Sequence, residues 1–167
     1  MTENPWVRTG RDVQPHKGPE SEVHMPQVIE SDIDGRFFGW HGSTVFKLAN
    51  GQVWEQDAPG RIRQFAYRPD LRITETDDVH LMQVDGIGSV RVRKVRDFIE
   101  SRIDGVFHGW DGRTVFPLVN GQVWQQAAYA YRYHYAYLPE VLLYLSKDGW
   151  RLKVDGVHES VTVTRIR

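Results

Sequence analysis

The sequence predicts an all-β protein built from two copies of one small domain, preceded by a polar arm. Three observations carry that prediction. Residues 28–87 align without a gap on residues 98–157, an offset of 70 positions. Asn50-Gly51 and Asn120-Gly121 each sit between apolar, β-branched runs, the strongest short-range hairpin signal. No segment shows the 3.6-residue apolar period of a surface helix.

The repeat is close. IESDIDGRFFGW matches IESRIDGVFHGW, TVFKLANGQVWEQ matches TVFPLVNGQVWQQ, and QVDG matches KVDG. One extra residue then enters the second copy, after which SVRVRKVR matches SVTVTRIR. The boundaries are residues 28–96 for copy one and 98–167 for copy two. A copy of about 70 residues lies near the lower limit for a domain that folds alone, so docking of the two copies would support both. Residues 1–27 carry Pro5, Pro15, Pro19 and Pro26 with mixed charge and little apolar content. They predict a disordered or extended arm in which Trp6-Val7 is the one apolar pair that could anchor.

Within a copy, five to six short strands are expected near residues 28–39, 44–49, 52–57, 70–76, 79–85 and 89–95. Gly42 and Gly112 mark one turn, and Asp85-Gly86 and Asp155-Gly156 a later one. Pro69 and Pro139 suit strand starts, where a missing N–H costs nothing. Alternation places Leu71, Ile73, Val141 and Leu143 on the core face. His80, Met82 and Val84 join them, matched by Trp150, Leu152 and Val154. Val90 and Val92 alternate and Val95 falls out of phase, as do Val161, Val163 and Ile166, which predicts a bulge in the last strand. Many short strands with regular turns point to a small barrel or sandwich.

The segment F-x-G-W-x-G-x-T-V-F-x-L-x-N-G-Q-V-W resembles a small bacterial β-domain with an Asn-Gly-Gln-Val-Trp hairpin. That resemblance spans Val28–Arg96 and Phe98–Arg167 and implies an SH3-like barrel in each copy. It implies no activity and no catalytic residue.

Composition narrows the function classes. A formal net charge of −1 on 167 residues offers no general attraction to polyanions. The absence of cysteine removes disulfides, thiolate zinc sites and cysteine nucleophiles together. No apolar leader opens the chain and no run approaches a membrane span, so a soluble, cytoplasmic protein without membrane contact is the expectation. The seven histidines show no metal-ligand spacing, and none is histidine in both copies. Asp34, Asp104, Asp85 and Asp155 precede glycine and read as turn residues. The sequence therefore calls for no metal, no cofactor and no catalytic residue.

Three groups are candidates for binding. Trp54 and Trp124 recur within Gln-x-Trp-x-Gln stripes. A two-residue type I′ turn would put Phe46, Leu48 and Val53 on one face and the Gln52-Trp54-Gln56 stripe on the other. A bulged turn would shift the register and send the tryptophan inward. Packing is the simpler explanation of a residue kept in both copies; a partner surface is the other.

The second group is Tyr129, Tyr131, Tyr133, Tyr135 and Tyr137, which an extended strand would present on one face. Copy one has Pro59, Arg61 and Arg63 at the first three positions, so the fold does not need those tyrosines. Tyrosine suits an interface because it offers contact area at little rotamer cost. It can also lie as a ladder against its own barrel or against the sister copy. Leu142 and Tyr144, opposite Arg72 and Thr74 of copy one, are outward by alternation yet apolar, and so need a cover. With the tyrosines they are expected to form one contiguous surface.

Third, Arg61, Arg63, Arg91 and Arg93 are candidate nucleic-acid contacts. Copy one balances ten Lys/Arg with ten Asp/Glu, so a salt-bridged solvated face is the plainer expectation. The functional expectation is a non-enzymatic protein-interaction module, binding a protein partner or itself through the aromatic surface of copy two. A nucleic-acid-binding module is the alternative, and glycan binding by aromatic stacking is a third.

Overall fold

A computed structural model describes residues 26–167, and every described element is a strand or a turn. The expected arm, with Trp6-Val7, lies outside these residues except for its last two positions. Among the described residues no helix is long and apolar enough to cross a membrane.

Unit 1 contains β1 (Val28–Asp32), β2 (Arg36–Trp40), β3 (Val45–Lys47), β4 (Val53–Gln56), β5 (Ile62–Tyr67), β6 (Asp70–Thr76), β7 (Val79–Val84) and β8 (Gly88–Val95). Unit 2 repeats them as β9 (Phe98–Arg102), β10 (Val106–Trp110), β11 (Val115–Pro117), β12 (Val123–Gln126), β13 (Arg132–Tyr137), β14 (Glu140–Ser146), β15 (Gly149–Val154) and β16 (Ser160–Arg165). Each unit has one six-stranded antiparallel sheet, in the order β1-β6-β7-β8-β4-β3 and its counterpart β9-β14-β15-β16-β12-β11. Each also has a two-stranded ribbon, β2–β5 or β10–β13. Eight strands replace the five to six expected, because Asp34-Gly35 splits the first and β5 was not foreseen. The sheets are not closed barrels. Single bridges, Ile33↔Leu48 and Ile103↔Leu118, bring their edges together.

The Asn-Gly hairpin turns by a three-residue loop. Gly51 N–H donates to the Leu48 carbonyl at 3.0 Å, Leu48 N–H donates to the Gln52 carbonyl at 2.9 Å, and Gly51 holds φ 87°. Asn50 Oδ1 accepts from Gln52 N–H at 2.9 Å. The left-handed glycine adds one residue to the loop, which overturns the two-residue register. Phe46 now pairs with Trp54, and Lys47 with Val53. Phe46 and Trp54 therefore share the core face, while Val45 and Val53 point to the other side.

The flanking glutamines explain why the Gln-x-Trp-x-Gln stripe recurs. Gln52 Oε1 accepts from Trp54 Nε1–H at 3.1 Å. Gln56, itself buried, accepts from Gly42 N–H at 2.8 Å and donates to the carbonyls of Ala58 and Gly60, each at 3.0 Å. Gln122 and Gln126 repeat these bonds in unit 2. One buried amide thus satisfies donors and acceptors from two loops that would otherwise be orphaned.

A bulge does occur, but in β5 and β13, where Gln64 and Phe65 stand opposite Phe38 alone and His134 and Tyr135 opposite His108 alone. A Cβ on Gly39 would stand 1.9 Å from the Ile62 carbonyl oxygen, and one on Gly109 1.7 Å from that of Arg132. Only glycine lets the ribbon strands approach so closely. Within β8 and β16, by contrast, the register is unbroken, and only just past β16 do Ile166 N–H and Arg167 N–H both donate to the Val123 carbonyl, a bulge that unit 1 does not share. Val95 falls out of phase because it leaves the core face to meet unit 2. The other core expectations hold: Leu71, Ile73, Met82, Val84, Val141, Leu143, Leu152 and Val154 are buried. His80 and Trp150 are half-buried against Trp54 and Trp124.

The units dock through unlike faces. Val45, Val53 and Val95 of unit 1 form one buried cluster with Tyr144, flanked by Phe98 and Leu142. Around it, Arg93 pairs with buried Glu55 at 2.7 Å and donates to the Leu145 carbonyl at 3.1 Å. Ser146 Oγ donates to Glu55 Oε1 at 2.6 Å. Lys147 pairs with Asp57, and Lys47 with Glu100; the bond to Glu100 is the main cause of a raised Lys47 pKa. Tyr144 donates its hydroxyl to Ser160 Oγ at 2.9 Å, and burial raises its pKa.

Candidate interaction site

The ribbon β10–β13 carries the tyrosines. The outward face of β13 and its lead-in shows Tyr129, Tyr131, Tyr133, Tyr135 and Tyr137, between 60% and 84% exposed. Arg132, His134 and Ala136 alternate with them and are half-buried. Gly109, beside the β13 bulge, sets how close β13 lies to β10. At the head of the stripe the Tyr129 ring lies against Gly112, and Tyr135 packs on His108 with centroids 5.6 Å apart. Beneath Tyr131 and Arg132 is a shallow hollow of about 300 Å³, lined by Phe107, His108 and Trp110.

The matching face of unit 1 is Arg61, Arg63, Phe65 and Tyr67 on β5 and the residue before it, all exposed. Phe38 packs on Phe65 at 5.5 Å, as His108 does on Tyr135. The last two aromatic positions are therefore a feature of both ribbons, and the first three are tyrosine only in unit 2.

The structure does not bring the other expected residues to this face. Leu142 and Tyr144 lie under unit 1, with Tyr144 fully buried. Their cover is the sister unit, and they do not form one surface with Tyr129, Tyr131 and Tyr133. Trp54 and Trp124 are 1% and 2% exposed, so no partner can reach them; the bulged hairpin is the cause. Arg93 is committed to Glu55 and the contact between units. Arg91 is exposed and donates to the Asp57 carbonyl at 2.9 Å. Arg61 and Arg63 stay open on their ribbon.

Comparison with protein-family models, with curated proteins and with solved structures gave no match. The chain's own two units remain the informative comparison.

The loop after β15 was not foreseen as a contact. It holds the extra residue of the second copy, and Lys153 Nζ ties it down by donating to the Val157 carbonyl at 2.6 Å. Burial depresses the Lys153 pKa. The loop carries His158 to Phe38 of unit 1, ring centroids 4.3 Å apart, and the His158 carbonyl lies 3.2 Å from His41 Nε2. Burial, then the Lys153 charge, lowers the His158 pKa below 6.5. The extra residue was the available signal, since an insertion in one copy marks a loop with a local task. Among the described residues no group of three or more His, Asp or Glu is placed to hold a metal ion.

Proposed function

We propose that the chain is a non-enzymatic protein-interaction module that binds its partner through the outward tyrosine face of β13. One observation carries the reading. Tyr129, Tyr131 and Tyr133 are at least 67% exposed, at positions where unit 1 has Pro59, Arg61 and Arg63. A fold that accepts proline and arginine there has no packing need for three tyrosines, and a row of open rings is a contact surface of low entropic cost. The fold reading goes with it: each unit is an SH3-like small barrel with an open seam, supported by the bridge that draws the sheet edges together. Replacing Tyr131 and Tyr133 with arginine, as in unit 1, should leave the melting temperature in place. Partner binding should weaken by about 1–3 kcal/mol for residues central to an interface. Affinity capture from the native host followed by mass spectrometry supplies the partner. Unfolding of the double variant would assign the tyrosines to packing and remove the reading.

A nucleic-acid-binding module is the second reading, favoured by Arg61 and Arg63 beside Phe65 and Tyr67. Basic and aromatic side chains on one strand face are what single-stranded nucleic acid engages. Titration against salt separates the two, because affinity for a polyanion falls steeply as salt rises and an uncharged tyrosine contact barely responds. Sugar binding by ring stacking, the third reading, would ignore salt and depend on the sugar.

A further inference from the structure

The contact between the units leaves one face unused. Unit 1 buries its β3–β4–β8 face against the β9–β14 face of unit 2. Unit 2 has a β11–β12–β16 face of its own, and nothing among the described residues covers it. Position by position the apolar centre is kept: Val45, Val53 and Val95 become Val115, Val123 and Ile166. Val115 is 46% and Ile166 54% exposed, where Val45 and Val95 are 8% and 2%. The ionic rim is gone: Glu55, Arg93, Asp57 and Lys47 become Gln125, Thr164, Ala127 and Pro117.

We propose that this face is a dimerisation surface, and that it takes the same face of a second copy of the chain across a two-fold axis. The first support is internal: the equivalent face of unit 1 is one that this fold buries against another β unit. The second is charge. A head-to-tail partner would have to offer the free β1–β6 face of unit 1, which carries the Arg72–Glu30 ion pair at 2.7 Å. That face has Arg72 and Thr74 where unit 2 docks with Leu142 and Tyr144. Pressing an ion pair onto a face without the ionic rim strips it of water with no new partner, so the head-to-tail chain is disfavoured. Two faces without the ionic rim pair without that loss, and an isologous contact closes at two copies. The tyrosines of β13 belong to the β10–β13 ribbon rather than to this sheet face.

Sedimentation of the whole chain from about 1 to 200 µM brackets the micromolar range of modest self-association. The expected result is a monomer–dimer equilibrium. Val115→Glu with Ile166→Glu should weaken it at least about tenfold and leave melting unchanged, since both side chains are already open to water in the monomer. Tyr131→Arg with Tyr133→Arg should leave the dimer intact. Because the chain has no cysteine, Val115→Cys gives a second test: oxidation should link it to itself far faster than Val28→Cys on the free face of unit 1. A monomer at every concentration overturns the proposal. So does a dimer indifferent to the glutamates, or mass that keeps growing with concentration as a head-to-tail chain would.

Discussion

Tyr144 is the residue whose loss should report most directly on the docking of the two units. Threonine is the informative replacement, because unit 1 carries Thr74 at the same place in the same strand and pairs it normally with Val28 and Leu81. The strand itself therefore tolerates Tyr144→Thr, and what disappears is the contact with Val45, Val53 and Val95. Tyr144 is fully buried. Truncating a buried aromatic to alanine costs about 3–5 kcal/mol through lost transfer energy and the cavity left behind; threonine refills part of that space, so about 3 kcal/mol is expected. The hydroxyl bond to Ser160 contributes about 1 kcal/mol of this, and Ser160 keeps Arg151 as a donor at 2.8 Å. For a chain of this length each kcal/mol moves the melting temperature by about 2–4 °C, giving a fall of about 6–12 °C. Differential scanning calorimetry should show that fall, or a split into two transitions as the units uncouple. A single transition displaced by less than about 2 °C would show that the cluster does not hold the units together, and the docking argument would fail.

Three further outcomes follow from other contacts. Arg93→Thr should cost about 2–4 kcal/mol in urea melts by stranding buried Glu55, and adding Glu55→Gln, the residue of unit 2, should recover part of it; a strictly additive double variant would refute the coupling. Gly109→Ala should cost well over about 2 kcal/mol, since its Cβ would collide with the Arg132 carbonyl. Gly105→Ala, in open space at φ 106°, should cost only about 1–2 kcal/mol of backbone strain, and equal losses would contradict the bulge geometry. The folded pKa of His158 lies below 6.5, so its contribution is complete above pH 6.5 and is lost as pH falls through the folded value. Proton NMR should find that lowered pKa, and Lys153→Gln should move it up; no movement would exclude the lysine as a cause.

Core strands were legible because alternation needs only the identity of neighbours. Leu71 and Ile73 could be placed inward from their own segment, and the second copy removed the ambiguity of Arg72 and Thr74. The orientation of Trp54 was not legible, since it hangs on one residue of loop length: a left-handed Gly51 moves every side chain of β4 to the opposite face. β5 was missed because its outward residues, Arg61 and Arg63, break the apolar pattern that marked the others. The open tyrosines were readable from comparison with Pro59, Arg61 and Arg63. What covers Leu142 and Tyr144 was not, since a docking face follows from three-dimensional adjacency between β3–β4–β8 and β9–β14, which no local pattern encodes.

The two kinds of polar contact in this molecule respond to different conditions. Inside each unit the loops are pinned by the uncharged amides of Gln56 and Gln126, which neither protons nor added salt can titrate away. At the joint the rim is ionic, made of Glu55, Asp57 and Glu100 against Arg93, Lys147 and Lys47. Salt weakens the exposed pairs of that rim. The joint is thus the element of the chain most sensitive to salt: raised ionic strength should weaken the rim between the units while each unit keeps its shape. A contact built this way lets the ionic strength of the surrounding solution set how firmly the two units hold each other.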